Sequence, residues 1–383
     1  MFPGRLGLQQ RILPTYRAPF FDALASSCQR GLSVFAGFPL PEESIHTTER
    51  LTQAQYVWAA NHHLLKPGSP FHLCWQAGLI EWLESWQPDV LIVEANSRYL
   101  STRKAISWMH SRGLPVVGWG LGAPRGEADS PVKRFLASAF DTFSFIHSLD
   151  GMIAYSKRGA EEYCQLGFPA DKIVVAPNAT APRPLTSPPA RSPSFTEAPT
   201  ILFVGRLQQR KRIDLLLQAC AGLLPKMKPR LWIIGDGPAL NGLKDLAARI
   251  YPSTEFLGSI HGEQLASYFV SADLFVLPGT GGLAVQEAMS HALPVIVARG
   301  DGTQDDLVRQ GNGWLIPSDD LYSLQETLED ALSDVNRLRL MGLESFRIVV
   351  EEVNLEAMVE VFIAAVNSAS ILKPKDGGRK MSK

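Results

Sequence analysis

ILFVGRLQQRK, residues 201–211, is an apolar run that ends in a glycine and gives way to cations. A second run, DLFVLP at 273–278, opens into GTGGLAVQEAMSHALPVIV at 279–297. Continuous rather than alternating apolar runs read as strands covered on both faces. A glycine-rich turn leading from such a strand into a helical pattern is how an α/β layer reverses. The first segment offers positive charge at Arg206 and Lys211, just after Gly205. The second offers pliable backbone at Gly279, Gly281 and Gly282, a helix start at Leu283 and a carboxylate at Glu287. Amides at a helix N-terminus favour anions, and a two-oxygen acceptor suits paired hydroxyls. Together the segments can hold phosphates and a ribose.

Working outward, similar runs recur along the whole chain. In the first half they are RLGLQQRIL (5–13), LSVFAG (32–37), DVLIVE (89–94), LPVVGW (114–119), GMIAYS (151–156) and KIVVA (172–176). In the second half they are TILFVG (200–205), RLWIIG (230–235), STEFLG (253–258), DLFVLP (273–278) and PVIVA (294–298). Helical patterns separate them, which predicts a parallel, doubly wound sheet in each half. Between the halves, 177–199 holds seven prolines and almost no apolar periodicity, so it predicts a semi-rigid spacer. The expected organisation is an N-terminal Rossmann-like domain over 1–177, a proline-rich linker over 178–199 and a second Rossmann-like domain over 200–350. A C-terminal helix over 351–372 follows, with a return to the first domain open. A basic tail, KPKDGGRKMSK (373–383), reads as disordered, with weak attraction to an anionic membrane as the alternative.

Composition bounds the class. A chain of 383 residues exceeds one compact core, and 45 % apolar residues with a net charge of −1 is ordinary for a globular enzyme. No basic excess marks a nucleic-acid partner. The four cysteines have no paired spacing and read as reduced thiols, which predicts a cytoplasmic protein. No apolar run reaches the ~18 residues of a membrane span, and arginines interrupt the first residues where a signal peptide needs apolar ones. Asn178-Ala179-Thr180 matches a glycosylation acceptor, read here as chance.

The order GRLQQRKRIDLLLQA, IIGDGP, FLGSI, a strand ending in Pro278, GGLAVQEAM and ALPVIV resembles the nucleotide-binding half of retaining glycosyltransferases of family 4. The resemblance covers about 150–335, including AYSKRGAEEYCQLGFPADKIVVAPN, and is looser before residue 150. It implies the GT-B fold, two doubly wound Rossmann-like domains facing each other across a cleft. It implies a nucleotide diphosphate sugar as donor, a glycan or lipid-linked acceptor, and retention of configuration without a protein nucleophile. The family's role for the cations falls on Arg206 and Lys211, which would stabilise the departing diphosphate. Its ribose contact falls on Glu287. The donor site would comprise Gly205, Arg206, Lys211, Gly279, Gly281, Gly282, Leu283 and Glu287. The bland alternatives are a solvated Arg/Lys cluster with Arg210 and Arg212, a solvent-facing helix glutamate and a tight glycine turn.

Two departures stand out. Eight positions before Glu287, where the family carries a glutamate that contacts the donor sugar, this chain has Gly279. The family's histidine near the anomeric carbon has no counterpart in VVGWGLGAP (116–124). These keep open a sugar-nucleotide binder without activity and an epimerase on the same fold. Gly118-x-Gly120-x-Gly122 lacks the spacing and following acid of a dinucleotide fingerprint. No Asp-x-Asp element is present, so no metal or other cofactor is expected. Asp301, Asp305 and Asp306 read as a loop before a capped helix, and Asp236 as a helix cap.

The first half is expected to receive the acceptor. Tyr16 and Arg17 follow its first strand; Glu94, Asn96 and Arg98 follow DVLIVE. Arg17 could steer an anionic acceptor or instead pack against the linker. Glu94 is the one carboxylate nominated for catalysis, its alternative being a buried glutamate paired with Arg98 or a helix terminus. His62, His63 and His72 read as surface or core histidines. The phenylalanine-rich stretch 131–149 reads as core rather than membrane-facing. Peripheral contact with the inner membrane face remains open.

Overall fold

The computed structural model describes residues 1–43, 45–65, 69, 72–122, 142–195, 197–224, 226–300 and 302–371. The basic tail 373–383 and residues 131–141 of the phenylalanine-rich stretch lie outside them. The strands in chain order are β1 (Leu6–Ile12), β2 (Leu32–Gly37), β3 (Gln55–Trp58), β4 (Ala60–Leu64), β5 (Leu73–Ala77), β6 (Val90–Glu94), β7 (Val116–Gly120) and β8 (Gly151–Ala154). They continue as β9 (Ile173–Val175), β10 (Thr200–Val204), β11 (Arg230–Ile234), β12 (Thr254–Gly258), β13 (Leu274–Leu277), β14 (Val295–Ala298) and β15 (Gly313–Ile316).

The chain forms two units, one of Met1–Ala176 with Glu356–Lys383, the other of Pro177–Leu355. In the first, a parallel seven-stranded sheet runs β3-β2-β1-β6-β7-β8-β9. The chain builds outward from β1 in one direction and from β6 in the other, so the switch point lies between β1 and β6. In the second, a parallel six-stranded sheet runs β12-β11-β10-β13-β14-β15, with its switch point between β10 and β13. Ligands of such sheets bind beyond the carboxyl ends of the strands at that point.

All eleven apolar runs form strands. β3, β4, β5 and β15 were not legible, because QYVW, ANHHL, LCWQA and GWLI are short or mix polar with aromatic residues. β4 and β5 form an antiparallel hairpin. Gln76 of β5 ties it down: its Nε2 donates to the Gln10 carbonyl at 2.9 Å and to Asn61 Oδ1 at 3.0 Å, and its Oε1 accepts from Gln9 Nε2 at 2.8 Å.

The helix Leu355–Ile371 belongs, from Glu356 on, to the first unit although it follows the second in sequence. Phe362 is fully buried there, edge-on to Phe20 at 4.9 Å and to Trp119 at 5.0 Å. The proline-rich stretch takes no helix or strand among its described residues, but it does not hang free. Arg191 donates to the carbonyls of Phe269, Val270, Ala272 and His291. One guanidinium thus closes the C-terminal ends of the helices Gly262–Ser271 and Leu283–Ser290, whose last carbonyls lack partners within the helix.

Glycines 118 and 120 serve packing. A Cβ at Gly118 would stand 2.6 Å from Leu149 Cδ1, and one at Gly120 would strike the Tyr163 hydroxyl. That hydroxyl accepts from the Gly122 amide at 3.2 Å.

Candidate functional site

The segment after β10 and the segment after β13 meet at the second unit's switch point. After Gly205 the chain runs through Arg206 to a single 3-10 turn, Gln209–Lys211, then through Arg212 into the helix Ile213–Gly222. After β13, Pro278 leads through Gly279 and Thr280 to Gly281 and Gly282, and the helix Leu283–Ser290 begins with Gly282 as its cap. The Thr280 amide donates to the Arg210 carbonyl at 3.1 Å. The Lys211 ammonium donates back to the Thr280 carbonyl at 2.5 Å.

Gly279 is required by this contact. A Cβ there would collide with the Arg210 carbonyl oxygen and stand 2.5 Å from the Lys211 carbonyl carbon. No glutamate can occupy position 279 while the two backbones touch, so the missing carboxylate has a steric cause. Gly281 has a φ of 123°, which only glycine adopts readily, and a Cβ on it would strike Lys211 Nζ. Among the described residues the amides of Gly281 and Gly282 meet no acceptor, and the Lys211 ammonium lies beside Gly281.

Glu287 lies one turn into that helix, partly buried. Among the described residues its carboxylate accepts no hydrogen bond, and burial alone pushes its pKa above the ordinary carboxylate value. A desolvated, unpaired acceptor of this kind is satisfied by hydroxyl donors. Arg206 sits half-buried immediately after Gly205.

Sequence reasoning missed Gln304. It is fully buried, and its Nε2 donates to the Gly279 carbonyl at 3.0 Å and to the Ala298 carbonyl at 3.4 Å. It therefore pins the outer side of the Gly279 turn to the end of β14. Its signal was Gly300, four positions earlier, where a Cβ would meet the Gln304 side chain. Attention to the acids of GDGTQDD hid it. Those acids also need correction. Residues 302–307 form turns rather than a capped helix, and Asp305 faces Arg299 at 3.7 Å; Asp301 lies outside the described residues. Asp236 is not a helix cap either: its Oδ1 accepts from the adjacent Gly237 amide at 2.6 Å, while Ala239 caps the helix Leu240–Ile250 without a side-chain bond. The turn instead presses on the β10 loop, the Leu207 amide donating to the Asp236 carbonyl at 2.9 Å. Among the described residues no acidic, histidine or cysteine cluster fits a metal ion.

Beside the Gly279–Thr280 turn a depression of about 620 Å3 opens, walled by Arg210, Arg212, Arg299, Asp214 and Asp319. It does not take in Arg206, Lys211 or Glu287.

In the first unit, the residues expected on the acceptor side gather at the β1/β6 switch point but differ in availability. Tyr16 is 47 % exposed, whereas Arg17 is 5 % exposed. The Arg17 guanidinium lies 5.3 Å from the Trp119 ring and 5.9 Å from the Tyr155 ring, with Met358 Sδ at 3.9 Å. It packs in an aromatic cage against the unit's last helix. Glu94 Oε2 accepts from the Arg11 amide at 2.6 Å, so its partner is neither Arg98 nor a helix terminus. Burial raises its pKa, and the Arg11 amide and charge pull it back. Asn96 Oδ1 accepts from the Arg98 amide at 3.2 Å and from Arg98 Nε at 3.3 Å, a local clasp. His63 Nδ1 lies 2.8 Å from His72 Nε2, and His62 stacks on Trp75 at 5.2 Å. In Thr142–His147, the described helix of the phenylalanine-rich stretch, Phe145 is buried and Phe143 is 60 % exposed.

Residues 198–334 match the family model of glycosyl transferases group 1. The chain is 38 % identical over 133 residues to a GDP-mannose-dependent alpha-mannosyltransferase of Corynebacterium glutamicum, which covers 34 % of this chain and 29 % of that protein. It is 30 % identical over 240 residues to the D-inositol 3-phosphate glycosyltransferase of Nocardia farcinica, 57 % of this chain and 52 % of the relative. The chain thus spans about half or less of these relatives. Among solved structures, Anabaena HepE in complex with UDP superposes with a TM-score of 0.69 at 17 % identity, over 96 % of this chain and all of that one. That likeness shows the fold, GT-B. The group 1 match takes in β10 through the helix Leu321–Ser333, and so the whole switch-point site of the second unit. Among the described residues no helix is long and apolar enough to cross a membrane.

Proposed function

We propose that this protein is a retaining, metal-independent glycosyltransferase that moves a sugar from a nucleoside diphosphate to a glycan or lipid-linked acceptor. The observation that carries this reading is the convergence at the β10/β13 switch point. There Lys211 and the unpartnered amides of Gly281 and Gly282 lie together at the head of the helix that bears the unpaired carboxylate of Glu287. Fixed cations and amide dipoles stabilise the charge that develops on a departing diphosphate. Arg206 and Lys211 hold it, the helix N-terminus receives the distal phosphate, and Glu287 takes the ribose hydroxyls. In the transfer, the bond between the anomeric carbon and the diphosphate oxygen breaks. The acceptor oxygen bonds to the same face, and its proton passes to the departing diphosphate. Tyr16 at the β1/β6 switch point is the exposed candidate for reading the acceptor. The activities of the relatives support nucleotide-sugar chemistry, and synthesis of a cell-surface polysaccharide or glycolipid at the cytoplasmic face of a membrane is the setting we propose.

Purified protein incubated with UDP-, GDP- and dTDP-sugars, with and without EDTA, tests the reading. Binding of at least one nucleoside diphosphate, and release of free nucleotide in the presence of acceptor, are the expected results. In Lys211→Ala, nucleoside diphosphate affinity should fall by roughly tenfold or more, the cost of losing a charged contact. A folded protein that binds none of these nucleotides would sink the proposal. Conversion of the donor to a stereoisomer without acceptor would reassign it as an epimerase.

A further inference from the structure

From the hydrogen bonds of one buried side chain, we infer that Gln286 is a positioning residue. It ties the helix that bears Glu287 to both segments by which the chain passes between its two units, so that occupancy of the donor site is registered at both crossings. This inference rests on the donor reading above and adds the residue through which that site acts on the rest of the chain.

The chain leaves the first unit at Ala176 and returns to it at Glu356, so the units are joined covalently only at these two crossings. Within the second unit, Gln286 engages both crossing segments. Its Oε1 accepts from the Thr180 amide at 2.8 Å, just past the first crossing. Its Nε2 donates to the Val353 carbonyl at 2.8 Å, just before the second. The Leu355 amide also donates to the Ala181 carbonyl at 3.0 Å, so the outgoing and returning segments are tied to each other. Gln286 is fully buried. A carboxamide has a donor end and an acceptor end, and here each end serves a different segment. An apolar side chain of the same size would serve neither, and an ionised glutamate would have no proton for Val353.

Placement is the second observation. Gln286 and Glu287 are consecutive in the helix Leu283–Ser290. Successive helical residues point about 100° apart around the axis, so Gln286 faces the interior while Glu287 stays partly exposed. A helix of 8 residues is too short to be stable alone, and its order comes from what holds it. Gln286 holds it on the buried side; a ribose at Glu287 would hold it on the open side. Ordering such a helix from one side strengthens the bonds on the other, and here those bonds reach both crossings. In the proposed reaction the acceptor is read by the first unit, to which both crossings lead. The neighbouring Asn354 offers a contrast. It is as fully buried, and its Nδ2 donates to the carbonyls of Val349 at 2.8 Å and Val350 at 3.0 Å, a tie local to the returning segment.

Amide hydrogen exchange of the full-length protein, with and without saturating UDP, GDP or dTDP (whichever binds), tests this. In the parent, nucleotide should slow exchange in 283–290 and also in peptides covering 178–181 and 353–357, the latter by roughly fivefold or more, the lower end of coupling between sites. Gln286→Met keeps the volume and removes both hydrogen bonds. In that variant nucleotide should still slow 283–290, while its effect at 178–181 and 353–357 disappears. In Asn354→Ala exchange in 349–355 should be faster throughout, yet the nucleotide effect at 178–181 should persist. Crossing segments that are indifferent to nucleotide in the parent overturn the inference and leave the proposed function standing; that comparison holds whether or not a variant folds. An effect that survives in Gln286→Met also overturns it, as does one lost equally in Asn354→Ala. Failure to bind any nucleotide removes the proposed function itself, and this inference with it.

Discussion

At position 279 a single hydrogen in place of a side chain lets the Arg210 carbonyl reach the Thr280 amide at 3.1 Å. Gly279→Ala should cost about 1–3 kcal/mol, because the atom in the way belongs to backbone and cannot rotate aside. Gly279→Glu should lower nucleotide affinity rather than restore a family contact; denaturant unfolding and nucleotide titration of both variants check this. Glu287 makes the opposite case. Its carboxyl is raised in the folded state, so its contribution to stability is greatest below its unfolded pKa near 4.5 and is lost as pH rises through the folded value. Glu287→Gln removes that loss. The variant should therefore melt higher than the parent at pH 7, melt with it near pH 4, and bind nucleoside diphosphate roughly tenfold more weakly. Thermal melts at the two pH values and one binding isotherm decide it. Equal melting at pH 7 would mean that the carboxylate is not strained by burial.

Among elements, the loops after β10 and β13 are shaped by their neighbours as much as by their own residues. Gln304 holds Gly279 from one side, and the turn at 235–237 presses on Leu207 from the other. The helix Leu283–Ser290, which carries Glu287, is fixed at its far end by Arg191, whose Nη2 donates to the His291 carbonyl at 2.7 Å. Burial lowers the Arg191 pKa to about 10, so the group remains protonated at neutral pH. Arg191→Ala should destabilise the second unit by about 2–4 kcal/mol, because it strands carbonyls at two helix ends. Hydrogen exchange should show the loss first in residues 262–291. An unchanged unfolding midpoint would show that the proline-rich stretch is a passive tether.

At the scale of the molecule, the chain builds its first unit from both ends of the sequence. The helix Leu355–Ile371 supplies Phe362 to the core beside Phe20 and Trp119, and it supplies Met358 to the cage around Arg17. Phe362→Ala should cost about 3–5 kcal/mol, a typical loss for a buried aromatic ring. The first unit should unfold earlier in denaturant while nucleotide binding at the second persists; paired tryptophan fluorescence and nucleotide titration distinguish the two. Loss of both together would mean that the units unfold as one.

The sequence by itself determined the layered α/β architecture and the donor-side segments. Continuous apolar runs, glycine turns and cations are local signals, and each is legible within a dozen residues. Gly205–Lys211 and Gly279–Glu287 could be found because strand, turn and helix start follow one another along the chain. Tertiary structure alone decided what those segments touch. That Gly279 is empty for lack of room, that Gln304 rather than the nearby acids holds the turn, and that Arg17 is buried while Tyr16 is exposed all depend on backbones brought together from distant positions. The same holds for Arg210, which donates to Gln208 and Thr280 while Asp214 and Asp319 are both engaged by Arg212. Periodicity reports which face of an element is covered. It carries no record of which atoms of another element do the covering, and at this site those atoms set the chemistry.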